Sequence, residues 1–359
     1  MNSEERLEIL RMLSEGKINA EEADMLLRAI GDTSDAREQH DTKDQKSKEV
    51  IELFQEIGQE IRQEVGRAIE SVQRSDVGKT ISEVVGDVVG QVRASVSDAF
   101  DVTEEADGKR KVEEKLEWTF DGAGVSKIDA QTVNGPISLQ GADRDQVIVR
   151  AWKEIRGRNA ADVTEFAQDV HVYAEQIGTE IQIYSEYPKP PQGISVKVRY
   201  EIESPRTLDV NLRTVNDKID LSGVEGAIDA TTVNSNINLQ GDGGPIHVHT
   251  TNGNIDASVG ELAHKSKFST TNGSIDARVG AGVAPVTATT TNGPIALTLP
   301  EDFSGQIDAK TSNGRVHSDF PIPVVGKIRN RLQGQIGEGG TALVKLRSLN
   351  GGIRLKQKR

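Results

Sequence analysis

The sequence predicts a mainly β protein folded as a β-solenoid, and three observations lead to that prediction. A motif of the form Thr-x-Asn-Gly recurs about every 20 residues through the C-terminal part of the chain. Around each motif, apolar and polar residues alternate as they do in a strand with one buried face. Aromatic residues make up only 4% of the chain, whereas Gly accounts for 35 of its 359 residues. That composition favours thin, turn-rich β layers over one thick core.

The overall composition narrows the classes of function. The formal net charge of −13 argues against a general nucleic-acid-binding protein. The chain has no cysteine, which excludes disulfides, Cys–zinc sites, iron–sulfur clusters and thiol nucleophiles. No apolar run reaches the 18 residues of a membrane-spanning helix, and the first residues lack the pattern of a secretory signal. We therefore expect a cytoplasmic protein, with export by a route without a signal peptide left open.

Residues 1–31 predict a small helical hairpin. Leucines at helical spacing form its first helix, and a second helix begins at Asn19, where Glu22 completes a capping box. Some thirty residues bury too little surface to be stable alone. We therefore expect this hairpin to pack on a protein partner or on a copy of itself.

Two segments connect the hairpin to the repeats. Residues 32–47 are polar and predict a flexible acidic linker. Residues 48–100, here called the connector, predict a long amphipathic helix. Several glycines weaken that helix, so it needs a partner surface. Because residues 46–100 hold 10 acids against 7 bases, a protein surface is favoured over an anionic membrane. The first apolar stripe of the connector consists of Phe54, Ile57, Ile61, Val65, Ala68 and Val72.

The repeats occupy residues 101–359 and are marked by one asparagine each. From Asn216 to Asn313 the steps are 18, 18, 20, 20 and 21 residues. A fixed period of this size is typical of stacked repeats. The sequence therefore predicts a structural ladder formed by Asn134, Asn216, Asn234, Asn252, Asn272, Asn292, Asn313 and Asn350.

The phase of the alternation predicts the shape of one repeat. Apolar residues lie at even offsets before each asparagine and at odd offsets after it. A strand has a period of 2, so the slip requires a bend at Asn-Gly, which left-handed backbone would supply. Stacked coils would let the Thr hydroxyls and Asn amides bond their own copies above and below. A hairpin array with type I′ turns is the alternative, but it does not require such uniform repeats.

Residues 142–206 interrupt the repeats and predict an α+β insert. The pattern indicates a strand over Gln146–Ile155, a helix over Ala160–Gln168, a hairpin turning at Gly178 and a strand over Ile194–Glu203. Such a subdomain could cover the first coils, which would otherwise expose a sheet edge.

Several outward positions are candidate ligand sites. His247 and His249 lie two apart on one strand and could hold a metal, but no third ligand is evident, and a solvent-facing pair is the simpler interpretation. Asp220, Asp256 and Asp276 share one outward position, where stacked carboxylates could bind Ca²⁺, although solvated acids are favoured. We predict no metal and no cofactor.

The sequence contains no motif that predicts catalysis. GxSxG, the P-loop, HExxH and the Rossmann glycines are all absent from it. A polysaccharide-active β-helix enzyme would need only two carboxylates, but no pair stands out from the other acids. We therefore predict a protein that is not an enzyme.

The C-terminal end is strongly basic. Residues 321–359 carry nine bases against one acid, whereas residues 1–45 carry 12 acids against 6 bases. The basic end could be a solubilising cap on the last coil, a dock for the acidic N-terminal module, or a contact with an anionic membrane or wall polymer. The candidate basic contact surface comprises Arg347, Arg354, Lys356, Lys358 and Arg359.

The hairpin and the repeats together resemble one bacterial family. LEILRMLSEGKINAEEADMLLRAI is similar to a SHOCT-like helical module, and VRYEIESPRTLDVNLRTVNDKIDLSG with the following TTNG repeats is similar to the β-strand-repeat domain called "putative adhesin". The chain thus resembles the YvlB/LiaX-type proteins of Gram-positive bacteria. The resemblance implies a non-enzymatic role in cell-envelope stress and brings no catalytic residue to this chain.

From these observations we expect a non-catalytic envelope-stress or regulatory protein with a β-solenoid scaffold that binds a protein or an envelope polymer. The alternative is an exported surface adhesin or polysaccharide-binding protein. The expected location is the cytoplasm, with association at the membrane, and the alternative is the cell surface.

Overall fold

The structure is a computed structural model, which describes residues 101–358 apart from 105–108, 243, 323–328, 339 and 341. The predicted hairpin at 1–31, the linker at 32–47 and the connector at 48–100 lie outside the described residues. Their boundaries therefore stay predictions.

The described residues form two large β-sheets and one short helix. Sheet A contains twelve strands in the order β1 (Asp101–Glu104), β2 (Arg110–Asp121), β5 (Gln146–Gly157), β8 (Ser195–Pro205), β4 (Ile137–Ala142), β10 (Ile219–Val224), β12 (Ile237–Gly241), β14 (Ile255–Leu262), β16 (Ile275–Val283), β18 (Ile295–Leu299), β23 (Ile353–Gln357) and β20 (Val316–Ser318).

Sheet B contains eleven strands in the order β21 (Arg331–Ile336), β19 (Gly305–Thr311), β22 (Ala342–Asn350), β17 (Val286–Asn292), β15 (Ser266–Asn272), β13 (Ile246–Thr250), β11 (Ile228–Thr232), β9 (Asp209–Arg213), β3 (Lys127–Gln131), β7 (Glu180–Glu186) and β6 (His171–Ile177). The inward faces of the two sheets bury one continuous hydrophobic core.

Each repeat places one strand in sheet B and the next in sheet A, and equivalent strands pair in parallel and in register. Ile237 pairs with Ile255, Ile255 with Ile275, and Ile275 with Ile295. All four side chains are buried. Parallel pairing confirms the mainly β solenoid and excludes the hairpin array, in which neighbouring strands would run antiparallel.

The buried positions show the predicted change in apolar alternation on either side of each asparagine. Ile228, Ala230 and Thr232 are buried before the asparagine, and Ile237 and Leu239 are buried after it. Since each strand contributes only two or three inward side chains, the core is thin, which explains how few aromatic residues it needs.

The coils do not stack in chain order. Strand β22 lies between β17 and β19, and β23 lies between β18 and β20. The repeat around Asn350 is therefore inserted between those of Asn292 and Asn313, and β21 pairs antiparallel with β19 at the end of sheet B. The basic C-terminal coil is thus an internal coil, which is incompatible with its being a cap on the last one. Insertion gives both of its strands a hydrogen-bonded neighbour on each side.

The insert extends the two sheets and adds a helix. Strands β5 and β8 prolong sheet A, partly with antiparallel pairing, and β7 prolongs sheet B beside β3. Helix α1 (Ala160–Gln168) begins after Asn159, whose side chain accepts a hydrogen bond from the Ala161 N–H. Its buried residues pack near β2 and β5, so the insert lengthens the solenoid at its N-terminal end.

One buried cation links α1 to sheet A. The Lys153 ammonium donates to the carbonyl oxygens of Ala167 at 3.2 Å and Val170 at 3.0 Å, and it pairs with the Glu114 carboxylate. Carbonyls at the C-terminal end of a helix carry partial negative charge, so a lysine there is favourable.

Substitutions at Ile275 test the buried ladder. Ile275→Asp would place an unpaired charge between Ile255 and Ile295, and we expect it to destabilise the protein by several kcal/mol. Ile275→Val removes one methylene and should cost about 1 kcal/mol. Thermal unfolding of both variants gives the measurement, and equal melting temperatures would contradict burial of this position.

Candidate functional site

The eight repeat asparagines form one continuous side-chain ladder along the corner of the solenoid. Seven Nδ2 groups, all except that of Asn134, donate to the Oδ1 of the asparagine in the neighbouring coil, over distances of 2.7–3.0 Å. The ladder follows the spatial order of the coils, so its members run Asn134, Asn216, Asn234, Asn252, Asn272, Asn292, Asn350 and Asn313.

The threonine two residues before each asparagine makes a different contact from the one that the sequence suggests. Thr270 Oγ1 donates to the Gly253 carbonyl at 2.9 Å, and Thr290 Oγ1 donates to the Gly273 carbonyl at 3.0 Å. The expectation that threonine hydroxyls bond their own copies is therefore wrong. The side chain points inward, where the nearest acceptor is the corner carbonyl of the preceding coil.

The expected positive φ is found at two of the corner glycines, Gly135 and Gly293, and at none of the ladder asparagines. No described residue other than glycine has a positive φ, so none of the ladder asparagines is left-handed. Instead, a Cβ on Gly273 would lie 1.9 Å from the carbonyl oxygen of Gly253 in the neighbouring coil. Six of the eight corners carry glycine after the asparagine, where stacked backbones approach closely, whereas Asp217 and Ser235 occupy the other two.

Asn272 provides a test of the ladder. Its amide donates to Asn252 and accepts from Asn292, both at 2.8 Å. Asn272→Ala removes two hydrogen bonds, each worth about 0.5–1.5 kcal/mol, so we expect a loss of about 1–3 kcal/mol in the free energy of unfolding. Gln240→Ala, at an exposed outward position, is the control and should change stability by less than about 0.5 kcal/mol. Equal stability of the two variants would contradict a stabilising ladder.

The outward face of sheet A carries a row of charges that changes sign along the solenoid. In the middle coils, Arg278 lies 3.1 Å from the Asp256 carboxylate and 3.2 Å from that of Asp276. Lys218 lies 2.7 Å from Asp220, which also accepts from the Asn238 amide. Arg278 and Lys218 therefore neutralise these acids, and the Asn238 amide donates a hydrogen bond to one of them, which favours solvated ion pairs over a Ca²⁺ site.

The basic residues of the C-terminal coil continue the same face. Arg354 and Lys356 alternate with the buried Ile353 and Leu355 on β23, so both point outward. Arg354 lies between Ala296 of β18 and His317 of β20, and Lys356 lies beside Thr298. Lys358 is exposed just beyond the strand.

The structure separates Arg347 from these cations. Arg347 lies on β22 of sheet B and is largely buried, and its guanidinium donates to the Asp308 carboxylate at 2.5 Å and to the Asp308 carbonyl at 2.9 Å. It is held as an ion pair across two strands of the other sheet. Arg359 lies outside the described residues, so three of the five candidate residues share one surface.

The two histidines do not form a solvent-facing pair. His247 is exposed, but His249 is buried, and its Nδ1 lies 3.0 Å from the Ser269 hydroxyl. Within the described residues, no group of three or more His, Asp or Glu side chains is placed to hold a metal ion.

In sheet B, the pKa of the Asp129 carboxyl is raised above its usual value. Burial raises the pKa of Asp129, and the Arg213 and Lys127 cations offset part of that effect. The Asn211 amide donates to this carboxylate at 2.6 Å. Lys127 lies on the same strand as Asp129, and Asn211 and Arg213 lie on the adjacent strand β9, so these groups form an ion-pair network.

Two aromatic clusters of the insert were not predicted from the sequence. Trp152 lies under the Arg199 guanidinium at 4.1 Å, with the Lys115 ammonium 5.6 Å from the ring centroid. Tyr173 and Tyr184 stack with ring centroids 5.1 Å apart, and burial raises the pKa of Tyr184 to about 12. Cross-strand pairing of β5 with its neighbours and of β6 with β7 brings these groups together, so only the register could have shown them.

Comparison with known proteins identifies the N-terminal module. Residues 4–35 match the SHOCT-like domain family, in agreement with the predicted module. No curated protein matches the chain. Within the described residues, no helix has the length and apolar character needed to cross a bilayer.

Several solved structures are similar to this chain at low identity. A "putative cell adhesion protein" from Clostridium sporogenes is 11% identical, with 68% of this chain and 100% of that chain covered and a TM-score of 0.29. A "putative adhesin" from Bacteroides fragilis is 14% identical, with 68% and 97% covered and a TM-score of 0.28. A "putative lipid binding protein" from Parabacteroides distasonis is 9% identical, with 69% and 97% covered and a TM-score of 0.21. At these values none of them assigns a function to this chain.

Proposed function

We propose that this chain is a non-catalytic binding protein of the bacterial cell envelope, in which the solenoid presents a rigid cationic surface to an anionic, phosphate-bearing partner. The surface, here called the cationic patch, consists of Arg354, Lys356 and Lys358. The resemblance to YvlB/LiaX-type proteins supports a role in envelope stress, exercised by a cytoplasmic protein at the membrane.

The observation that carries the proposal is the environment of the patch on β23. Its neighbours on the adjoining strands are Ala296, Thr298 and His317, and His317 lies 3.3 Å from the Asp319 carboxylate. Within the described part of the chain neither Arg354 nor Lys356 forms an ion pair with that acid or with another. The acidic rows of the middle coils are neutralised by Arg278 and Lys218, whereas this end of the face keeps its positive charge. Such a surface attracts phosphate groups.

The position of β23 inside sheet A makes the patch rigid. Both edges of the strand are hydrogen-bonded, to β18 and to β20. Fixed cations lose little conformational freedom when a partner binds, which favours affinity. Each lysine or arginine close to an anionic membrane contributes about 1 kcal/mol, so three residues support reversible binding that salt weakens.

A second candidate function is polysaccharide binding, as in a surface adhesin. The observation that favours it is the stacked pair of Tyr173 and Tyr184, which alternates with buried Ala174 and Ile183 and so lies on the outward face of sheet B. Aromatic rings of this kind stack against sugars. Loss of binding to a neutral glycan in Tyr173→Ala would support this alternative.

Vesicle binding tests the cationic patch. Arg354→Glu, Lys356→Glu and Lys358→Glu are combined in one variant of the full chain. We expect the parent to sediment with phosphatidylglycerol vesicles but not with phosphatidylcholine vesicles, and the variant to bind at least about tenfold more weakly. Raising the salt from about 0.05 M to about 0.2 M should weaken binding of the parent.

The control variant changes the net charge by the same amount elsewhere. Its three substitutions, at exposed residues away from the patch, are Arg158→Glu, Lys189→Glu and Lys265→Glu. If the control variant binds vesicles as well as the parent does, the result supports binding through the cationic patch. An equal loss of binding in both variants would show that only the net charge matters. A parallel binding experiment with soluble poly(glycerol phosphate) identifies the source of the phosphate. If the protein binds this polymer but not the vesicles, the partner is a wall polymer. Binding in neither arm would contradict the proposal.

A further inference from the structure

Two acidic side chains on the outward face of sheet B have no cation beside them. Glu175 lies on β6 and Glu186 on β7, and both are half-buried. Among the residues that the structure describes, neither carboxylate forms an ion pair, whereas Glu180 on β7 pairs with Lys127 at 3.0 Å. A half-buried carboxylate loses part of its hydration, and a cation beside it offsets that loss. These two positions therefore suit a cation that comes from outside the chain.

The two acids flank a pair of stacked tyrosines. Antiparallel pairing of β6 with β7 sets Tyr173 opposite Tyr184, and Glu175 and Glu186 lie in the rows on either side of that pair. The ring centroids are 5.1 Å apart, and the ring planes are inclined by 27°. Burial raises the pKa of Tyr184 to about 12, with smaller contributions from the Glu175 and Glu186 carboxylates. The rings and the carboxylates thus form one cluster.

One ring face of this cluster has no strand over it. In the described part of the chain β6 is the last strand of sheet B, so Tyr173 has Tyr184 on one side and no further strand on the other. The His171 ring lies 6.3 Å away and is tilted by 41°, so it does not stack on that second face. Because Tyr173 is only half-buried, a flat ligand can reach its ring.

An amino sugar matches both parts of the cluster. Apolar C–H groups of a sugar ring pack on an aromatic face, and an ammonium group forms charge-assisted hydrogen bonds with carboxylates. Side chains two residues apart on a strand, and diagonal neighbours on paired strands, lie about 7–8 Å apart. Glu175 and Glu186 are therefore both within reach of the substituents of a sugar stacked on Tyr173. A neutral sugar would leave both acids unpaired, and both would repel an anionic sugar.

We propose that Tyr173, Tyr184, Glu175 and Glu186 form a binding site for a polysaccharide whose sugars carry free amino groups, such as a polymer of glucosamine. The proposal rests on the polysaccharide-binding candidate function of the tyrosine pair and names the class of polysaccharide. The tyrosines supply the contact area, and the two acids select sugars with an ammonium group over their N-acetylated forms. The site is separate from the cationic patch, which lies on β23 of sheet A and binds the opposite charge.

Two oligosaccharides that differ only in acetylation test this selectivity. The full chain is titrated calorimetrically with a hexamer of glucosamine and with a hexamer of N-acetylglucosamine, at a pH at which the free amines are protonated. We expect the glucosamine hexamer to bind at least about tenfold more tightly. Glu175→Gln combined with Glu186→Gln keeps the shape of both side chains and should remove most of that preference, because the carboxylate charges are lost. Tyr173→Ala should weaken binding of both hexamers at least about tenfold.

A matched control removes two acids elsewhere. Glu165→Gln with Glu301→Gln changes the net charge by the same amount at two exposed positions, and this variant should bind both hexamers as the parent does. Thermal unfolding must show an intact β domain in every variant. An equal loss of the preference in the control would overturn the proposal, as would a preference that persists after Glu175→Gln and Glu186→Gln.

Other outcomes separate the selectivity for amines from polysaccharide binding itself. Equal binding of the two hexamers by the parent would overturn the selectivity and leave the polysaccharide-binding function standing. Absence of binding to either hexamer would overturn both. If a hexamer of lysine binds as tightly as the glucosamine hexamer and competes with it, the site belongs to a basic peptide and the proposal is overturned.

Discussion

Stacked coils meet most closely at the Asn-Gly corner, and the rest of the structure depends on that contact. The asparagine amide bonds the next asparagine, the threonine hydroxyl bonds the corner carbonyl, and glycine leaves room for the neighbouring backbone. These three contacts together fix the register of one coil on the next. Because register is set at each corner, isoleucines and alanines of successive coils meet inside a core only two or three side chains wide, and outward residues of the same offset form rows.

Charged residues in these outward rows need neighbouring groups that offset their charge. Side chains at the same offset in adjacent coils lie about 4.8 Å apart, so like charges repel unless another group intervenes. Asp256 and Asp276 share Arg278, and Asp220 is held by Lys218 and Asn238. In the C-terminal coil, Arg347 pairs with Asp308 on sheet B, whereas Arg354 and Lys356 on sheet A lie beside Ala296, Thr298 and His317. Its insertion between two other coils keeps them on a well-ordered strand, where a phosphate-bearing partner would meet a fixed array.

The two outward faces thereby acquire different characters from one repeating fold. Sheet A carries ion pairs and a cationic end, whereas the middle of sheet B carries small hydroxyl and methyl groups shielded from water. A charged face of this kind suits an external anionic partner.

The sequence alone determined the features that depend on neighbours close in the chain. Period, strand phase and the bounds of helix α1 follow from alternation and capping, which are local, and they agree with the structure. Only the tertiary structure decided which coil lies beside which, because the pairing of β22 with β17 depends on residues more than fifty positions apart. Contacts between strands distant in the chain also explain three other features that local patterns do not show. Arg347 pairs with Asp308, His249 is buried, and the threonine hydroxyl donates to a backbone carbonyl. Repeats with nearly equal corners can stack in more than one order, and the order depends on the pairing of whole strands, which no local pattern records.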